Sequence, residues 1–372
     1  MVVACYVSFA ALGWFLNGFG SILPELEDDI GRRASIYPLL PGAVMLVSGI
    51  FVVRRHRSVE PRSDYERGIV AGSIALAVSL AVMGVTRWQW VSAIGALAAA
   101  ISAAYLVRLL PAVLATIRAT DTERVMMRSN AYASVAAISA PLAVGASIAL
   151  GAGWAPGMVI PLIVGAVVVV VMARPTPADG SRPHNTEHAE GRIPPLATWW
   201  REWAVLTMSI VVEFCFVYFA ATYLHDELGL STAESAAGAA AWGIGMATGR
   251  FAVSTWPPPR SVVPSVLAIA VGFSMLWLFE LPVIAIAGIG IAGLGASPLY
   301  PSRLTALLDR FPTSPDQGSA RGTLASGVAL VAAPAMMAGL RAASDVRTAY
   351  LVVPVLLAVL LILARPTISR VE

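Results

Sequence analysis

The chain contains no lysine and only two cysteines, and charged residues fill just 13% of its 372 positions. Soluble domains carry about 25% charge, so an ordinary globular enzyme is excluded. Intrinsic disorder requires low hydrophobicity and high net charge. Here 58% of side chains are hydrophobic and mean hydropathy is +0.76, which excludes disorder too. Cys5 and Cys215 both lie in apolar runs, too few for a disulfide framework or a metal cluster. The sequence shows no P-loop, no zinc motif and no nucleophile elbow. Gly288-Ile-Gly-Ile-Ala-Gly293 has dinucleotide-site spacing, but it sits inside an apolar run with no strand before it. It reads as close helix contact instead. All 25 basic residues are arginine, a bias expected of a GC-rich bacterial genome, so the basic pI is poor evidence for acidic partners. Neither a cofactor, a metal nor a nucleic acid is expected.

What is present is long hydrophobic runs, and the class they leave is a polytopic membrane protein with the lipid bilayer as its partner. A helix needs about 20 apolar residues to cross the hydrocarbon core. Uncharged stretches cover residues 2–24, 34–53, 68–86 and 88–107. The 45-residue uncharged run 129–173 is too long for one span and is divided by Gly151-Ala-Gly-Trp-Ala-Pro156. Further spans follow at 203–224, where only Glu213 is charged, and at 235–249, 261–279, 281–302, 322–340 and 348–364. The count is twelve. The first stretch follows Met1 with no basic segment, so it reads as a span and not as a cleaved leader.

These spans fall six on each side of a polar segment. Residues 1–173 form one expected bundle, 174–202 a cytoplasmic linker rich in proline and charge, and 203–372 a second bundle. In the linker His184 and His188 stand four apart beside Glu187 and Glu190, yet nothing rigid would hold such ligands in geometry. Placing both termini in the cytoplasm puts 19 arginines in inner segments against five in outer ones, as the positive-inside rule demands. The halves also echo each other. Arg128 precedes Ala140-Pro141 and Arg321 precedes Ala333-Pro334 at the same spacing, 193 residues apart.

With these features the sequence resembles the major facilitator superfamily. The likeness rests on the six-plus-six arrangement, the central linker, and the run from Tyr223-Leu-His-Asp-Glu-Leu-Gly229 to Gly245-Met-Ala-Thr-Gly249-Arg250. Gly20-Ser-Ile-Leu-Pro24 and Ser297-Pro-Leu-Tyr-Pro301 are similar to family patterns as well. The resemblance implies an all-α membrane fold whose two pseudo-symmetric bundles rock about a midplane cavity. Two departures stand out. The basic loop from Arg54 to Arg67 lacks the family's glycine-spaced pattern, and Gly249-Arg250 runs into Trp256-Pro-Pro-Pro259.

Glu213 is the strongest chemical signal. It lies ten residues from Trp203 and eleven from Leu224, near the bilayer centre at about 1.5 Å per residue. A carboxylate facing lipid there costs on the order of 2.5 kcal/mol or more, so it should face a cavity or a partner. Its expected role is proton coupling or substrate binding; the competing role is a structural contact between helices. Trp14, Asn17, Tyr105, Tyr132, Tyr218 and Tyr300 are candidates to line a cavity, with ordinary interhelical packing as the alternative for each. Arg108, Arg250 and Arg303 are cytoplasmic gate candidates; Arg108 and Arg303 fall at inner ends of spans, where a long side chain could instead reach the headgroups, and Arg250 falls in the inner loop after Gly249. The sum is a monomeric secondary transporter of a small-molecule substrate, proton-coupled, in a bacterial cytoplasmic membrane. Export of a drug or metabolite is favoured on base rates. Nutrient uptake is the alternative within transport, and a sensor or assembly partner that retains the fold is the rival outside it.

Overall fold

The computed structural model describes residues 1–30, 37, 39–55, 65–86, 88–117, 121–173, 194–255 and 261–365. Residues 174–193, with both linker histidines, and residues 56–64 of the basic loop lie outside the described residues. In lipid every backbone N–H and C=O must find a partner within its own segment, and a helix achieves this. Among the described residues fourteen helices result: α1 Val2–Ile30, α2 Leu40–Arg55, α3 Tyr65–Val85, α4 Gln89–Ile117, α5 Thr122–Ala149, α6 Trp154–Met172, α7 Leu196–Asp226, α8 Thr232–Thr255, α9 Val263–Leu278, α10 Pro282–Ala296, α11 Leu299–Leu308, α12 Pro315–Ala343, α13 Val346–Ala349 and α14 Val352–Ala364. Two pairs, α10 with α11 and α13 with α14, are single spans broken by a turn. Twelve spans remain, nine of them long and apolar enough to cross a membrane by length and composition among the described residues.

The chain divides into two compact units, residues 1–194 with 308–327, and residues 195–307 with 328–372. In the first, α1 packs on α5 and α6, α3 packs on α4 and α6, and α2 packs on α4. A buried Ser8–Ser73 hydroxyl contact of 3.1 Å joins α1 to α3. The turn between α5 and α6 falls where the glycines predict it. Gly151 and Gly153 adopt φ of 73° and 71°, a region that costs glycine nothing. The Ser147 hydroxyl closes the turn by donating to the Gly153 carbonyl at 2.7 Å.

In the second unit α10 is gripped on two sides. Toward α8, a Cβ on Gly245 would lie 2.1 Å from the Gly290 carbonyl oxygen, and one on Gly293 would lie 2.4 Å from that of Trp242. Toward α9, a Cβ on Gly272 would lie 2.3 Å from the Gly288 carbonyl oxygen. The string read above as helix contact is therefore a two-sided seam, in which missing side chains let backbones touch. The α7–α8 turn is fixed locally. Gly229 takes φ of 66°, and Ser231 and Glu234 form a reciprocal capping box. Glu234 Oε2 accepts from the Ser231 N–H at 2.9 Å and its hydroxyl at 2.7 Å, and the Glu234 N–H donates back at 3.3 Å.

Candidate functional site

Glu213 sits at the eighteenth residue of the 31-residue α7, and the aromatic cluster around it sets how α7 is turned. Three residues on, Phe216 stacks on Trp242 of α8 with ring centroids 4.7 Å apart and planes 11° apart. Tyr350, fully buried, meets Phe216 and Tyr223 edge-on, and its hydroxyl donates to the Cys215 carbonyl at 3.2 Å. With α7 so held, Glu213 points toward α8. Arg250 lies eight residues past Trp242, about 12 Å along α8. Helix side chains lean toward the N-terminus, so its long stem reaches back toward the level of Glu213. The Arg250 Nη2 to Glu213 Oε1 distance is 3.8 Å, with side chains 9% and 18% exposed.

Two prolines hold Arg250 in place. Pro301 has no N–H, so the Ser297 carbonyl four residues earlier loses its helical donor. Arg250 Nε donates to that oxygen at 3.3 Å. Pro298 likewise strips the donor from the Leu294 carbonyl, and the Ser297 hydroxyl replaces it at 2.7 Å. Gly249 permits the approach, since a Cβ there would lie 2.2 Å from Ser297 Oγ. Tyr300 stands within electrostatic range of the same guanidinium. Ser297-Pro-Leu-Tyr-Pro301 thus builds a kink with a built-in acceptor for one arginine.

This corrects two sequence expectations. Arg250 does not sit in an inner loop after residue 249: α8 continues to Thr255, and the buried arginine turns inward to its carboxylate. Arg303 is not at a span end reaching for headgroups. It is a buried residue of α11, its Nη1 3.8 Å from Glu202 Oε2 of α7. Charge stops a hydropathy window, but it does not stop a helix when another helix supplies the counter-charge.

The remaining candidates divide. Trp14 donates its indole N–H to the Met158 carbonyl at 3.1 Å, and Asn17 donates its amide to the Gly13 carbonyl at 3.0 Å. Each makes a contact to a helix backbone, and Asn17 remains exposed. Tyr132 rests on Tyr6, and Tyr218 on Phe214, with centroids 5.4 and 5.2 Å apart. Tyr105 and Arg108 come together: the guanidinium lies 5.4 Å from the Tyr105 ring, and both line a cavity of about 190 Å³ between α2 and α4 with Ser48 and Phe51. The Arg108 carbonyl accepts from the Ser319 hydroxyl. Sequence reasoning missed the Ser297 carbonyl, although Pro301 four residues later signals it.

The sequence matches the family model of the Major Facilitator Superfamily over residues 3–314. The chain belongs to that superfamily. Comparison with curated proteins by sequence finds no match. Solved structures share the fold at low identity. The human organic anion transporter MFSD10 (TETRAN) aligns with a TM-score of 0.77 at 14% identity, over 98% of each chain. The E. coli fucose:proton symporter FucP aligns at 0.72 and 16%, over 97% of each. A bacterial homologue of the human lysosomal transporter Spinster aligns at 0.61 and 14%, over 98% of this chain and 95% of that one. The superfamily is one of membrane transporters, and this chain is a multi-pass member of it.

Proposed function

We propose that this transporter moves a small organic solute by alternating access and couples it to protons through Glu213. The observation that supports this reading is the Glu213–Arg250 pair at 3.8 Å. Charge-assisted hydrogen bonds run about 2.7–2.9 Å, so this contact is Coulombic and leaves the carboxylate oxygens open to a proton. Two unit charges at this distance attract by about 4 kcal/mol at an effective dielectric near 20. Protonating Glu213 switches that attraction off, a change larger than the ~1–3 kcal/mol of most site couplings. Proton binding and the packing of α7 on α8 are therefore linked.

The test is flux in proteoliposomes with an imposed pH gradient. Glu213→Gln keeps the shape of the protonated side chain, so folding should survive while gradient-driven accumulation is lost. Counterflow exchange, which needs no net proton movement, should persist. A wild-type gradient response in this variant refutes the coupling role. The sign of accumulation reads the direction, export or nutrient uptake. The arginine asymmetry further supports cytoplasmic termini in a bacterial inner membrane. Single cysteines at Ser181 and Ser344, in a background lacking Cys5 and Cys215, should then differ, with only Ser344 labelled by an impermeant maleimide in whole cells.

A further inference from the structure

The first unit presents exposed surfaces of two chemical kinds. On α3 every exposed residue from Ile74 to Val82 is apolar, and so is every one on α6 from Ile160 to Met172. Ile74 and Val78 share a groove there with Ile163, Val167 and Val171. Such a surface suits lipid, whose tails offer no hydrogen bond. On α1 the pattern changes. Asn17 is exposed, fifteen residues from Val2 and seven from Pro24. It therefore lies about 22 and 10 Å from the ends of that uncharged run, at hydrocarbon depth. Gly13 holds α1 on α5, since a Cβ there would lie 2.1 Å from the Ala133 carbonyl oxygen, and Asn17 emerges one turn later. Its amide donates to the Gly13 carbonyl at 3.0 Å. A carbonyl only accepts, so this bond fixes the amide: the NH2 turns to the helix and the oxygen is presented outward. Among the described residues that oxygen accepts no hydrogen bond. Left unpaired against lipid it is costly, so this face meets water or solute. Trp14, three residues earlier, neighbours Asn17 on the helix surface. Its one donor engages the Met158 carbonyl at 3.1 Å, which leaves the ring as what it offers.

We infer that Asn17 lines the solute path and that the solute gives it a hydrogen-bond donor, a hydroxyl or amine N–H, while an apolar part rests on the Trp14 ring. This rests on the alternating-access reading but not on the proton step at Glu213. A fixed acceptor beside an apolar wall is how a binding site orients an amphipathic ligand. It also selects. A site built to bond a ligand hydroxyl disfavours the analogue that lacks it, because its own polar group is then left unpaired.

The first arm of the test is water access. In a Cys5→Ala/Cys215→Ala background, Asn17→Cys and Val167→Cys are exposed to a charged methanethiosulfonate in whole cells and in inside-out vesicles. Only a thiolate reacts, and a thiol against lipid does not ionise. Asn17→Cys should react at least about tenfold faster than Val167→Cys in one preparation or both; equal rates in both overturn the inference. The second arm is recognition, read as the Kd from thermal unfolding in detergent. The probes are cyclohexane-1,2-diol and its dimethyl ether, which lacks the donors. Asn17→Leu keeps the shape and removes the acceptor, with Asn17→Ala in its place where Leu does not fold. The substitution should weaken diol binding about fivefold and leave the ether unchanged. No diol binding to wild type, or an equal effect of the substitution on diol and ether, overturns the donor. The proteoliposome assay reads Glu213 separately. If Glu213→Gln loses its gradient response while Asn17→Cys stays unlabelled, coupled transport stands and the Asn17 contact falls. If the gradient response persists while both arms hold, proton coupling falls and the contact stands.

Discussion

Replacing Gly245 by alanine tests the seam on which the site is built. A Cβ at this position lies 2.1 Å from the Gly290 carbonyl oxygen and 2.8 Å from the Leu294 nitrogen. Both are backbone atoms and cannot swing aside. Ordinary contact begins at 3.4 Å, so α8 and α10 must part by about 1 Å. Overpacking of this kind costs about 1–3 kcal/mol. The separation also stretches the 3.3 Å bond from Arg250 to the Ser297 carbonyl past the limit of useful geometry. Losing a bond from a charged donor adds about 1.5–3 kcal/mol, and the better helix propensity of alanine returns about 0.5–1 kcal/mol. The net is roughly 2–5 kcal/mol, or a fall in Tm of about 4–10 °C. Scanning fluorimetry in detergent reads it directly. Gly290→Ala is the control from the facing helix. Its Cβ would sit 3.6 Å from the Ala241 carbonyl oxygen, an ordinary contact, and the variant should melt within about 2 °C of wild type. An unchanged Tm for Gly245→Ala, or an equal fall for Gly290→Ala, would refute the seam.

Tyr350→Phe removes the hydroxyl bonded to the Cys215 carbonyl but keeps the ring contacts, and should cost about 1 kcal/mol in denaturant titration; a neutral result means that bond contributes nothing net. Arg201 donates from Nε and Nη2 to the Leu363 carbonyl at 3.2 and 2.9 Å, and from Nη2 to that of Arg365, so it caps the end of α14. Arg201→Gln should raise amide exchange in the last turn of α14 about tenfold. The Glu234 carboxyl is held below its ordinary value because the Ser231 hydroxyl and backbone N–H both donate to it. Since the folded value is depressed, its contribution is present above the unfolded value and is lost as pH falls through the folded one. The protection factors of the first turn of α8, exchange rates corrected for the intrinsic slowing of amide exchange in acid, should therefore fall on acidification in wild type and stay level in Glu234→Gln; identical profiles would show that the capping box does not hold the helix.

Much of this architecture was legible from local chemistry. Runs of apolar residues give the spans, and the Gly-rich break at 151–156 gives the α5–α6 turn, because both are decided within a few residues. Pro141 and Pro334, which carried the internal repeat, do lie inside the long helices α5 and α12. That Glu213 falls near the middle of α7 followed from counting alone. The partner did not. Arg250 is 37 residues away, and nothing in its own neighbourhood distinguishes an arginine bound for a headgroup from one bound for a buried carboxylate. The hydrogen-bond partners of Trp14 and Asn17 were hidden for the same reason. Their polar groups demand partners, but only packing shows that the Trp14 indole reaches the Met158 carbonyl and the Asn17 amide the Gly13 carbonyl.

The nonlocal pairing nevertheless leaves a local trace. A proline inside a helix orphans the carbonyl four residues before it, and in a membrane that oxygen cannot fall back on water. Pro298 and Pro301 therefore announce two acceptors, at Leu294 and Ser297, and something must supply donors to them. Ser297 covers the first with its own hydroxyl. The second calls for a donor from a neighbouring helix that can approach to backbone distance, and Gly245-x-x-x-Gly249 immediately before Arg250 marks a helix able to do so. Once Arg250 is committed to that carbonyl, its charge is fixed inside the unit and requires an anion nearby. Glu213, the one acidic residue between Trp203 and Leu224, is the group that meets it. The kink, the glycine seam and the carboxylate of α7, read together, set a buried arginine beside a half-buried glutamate.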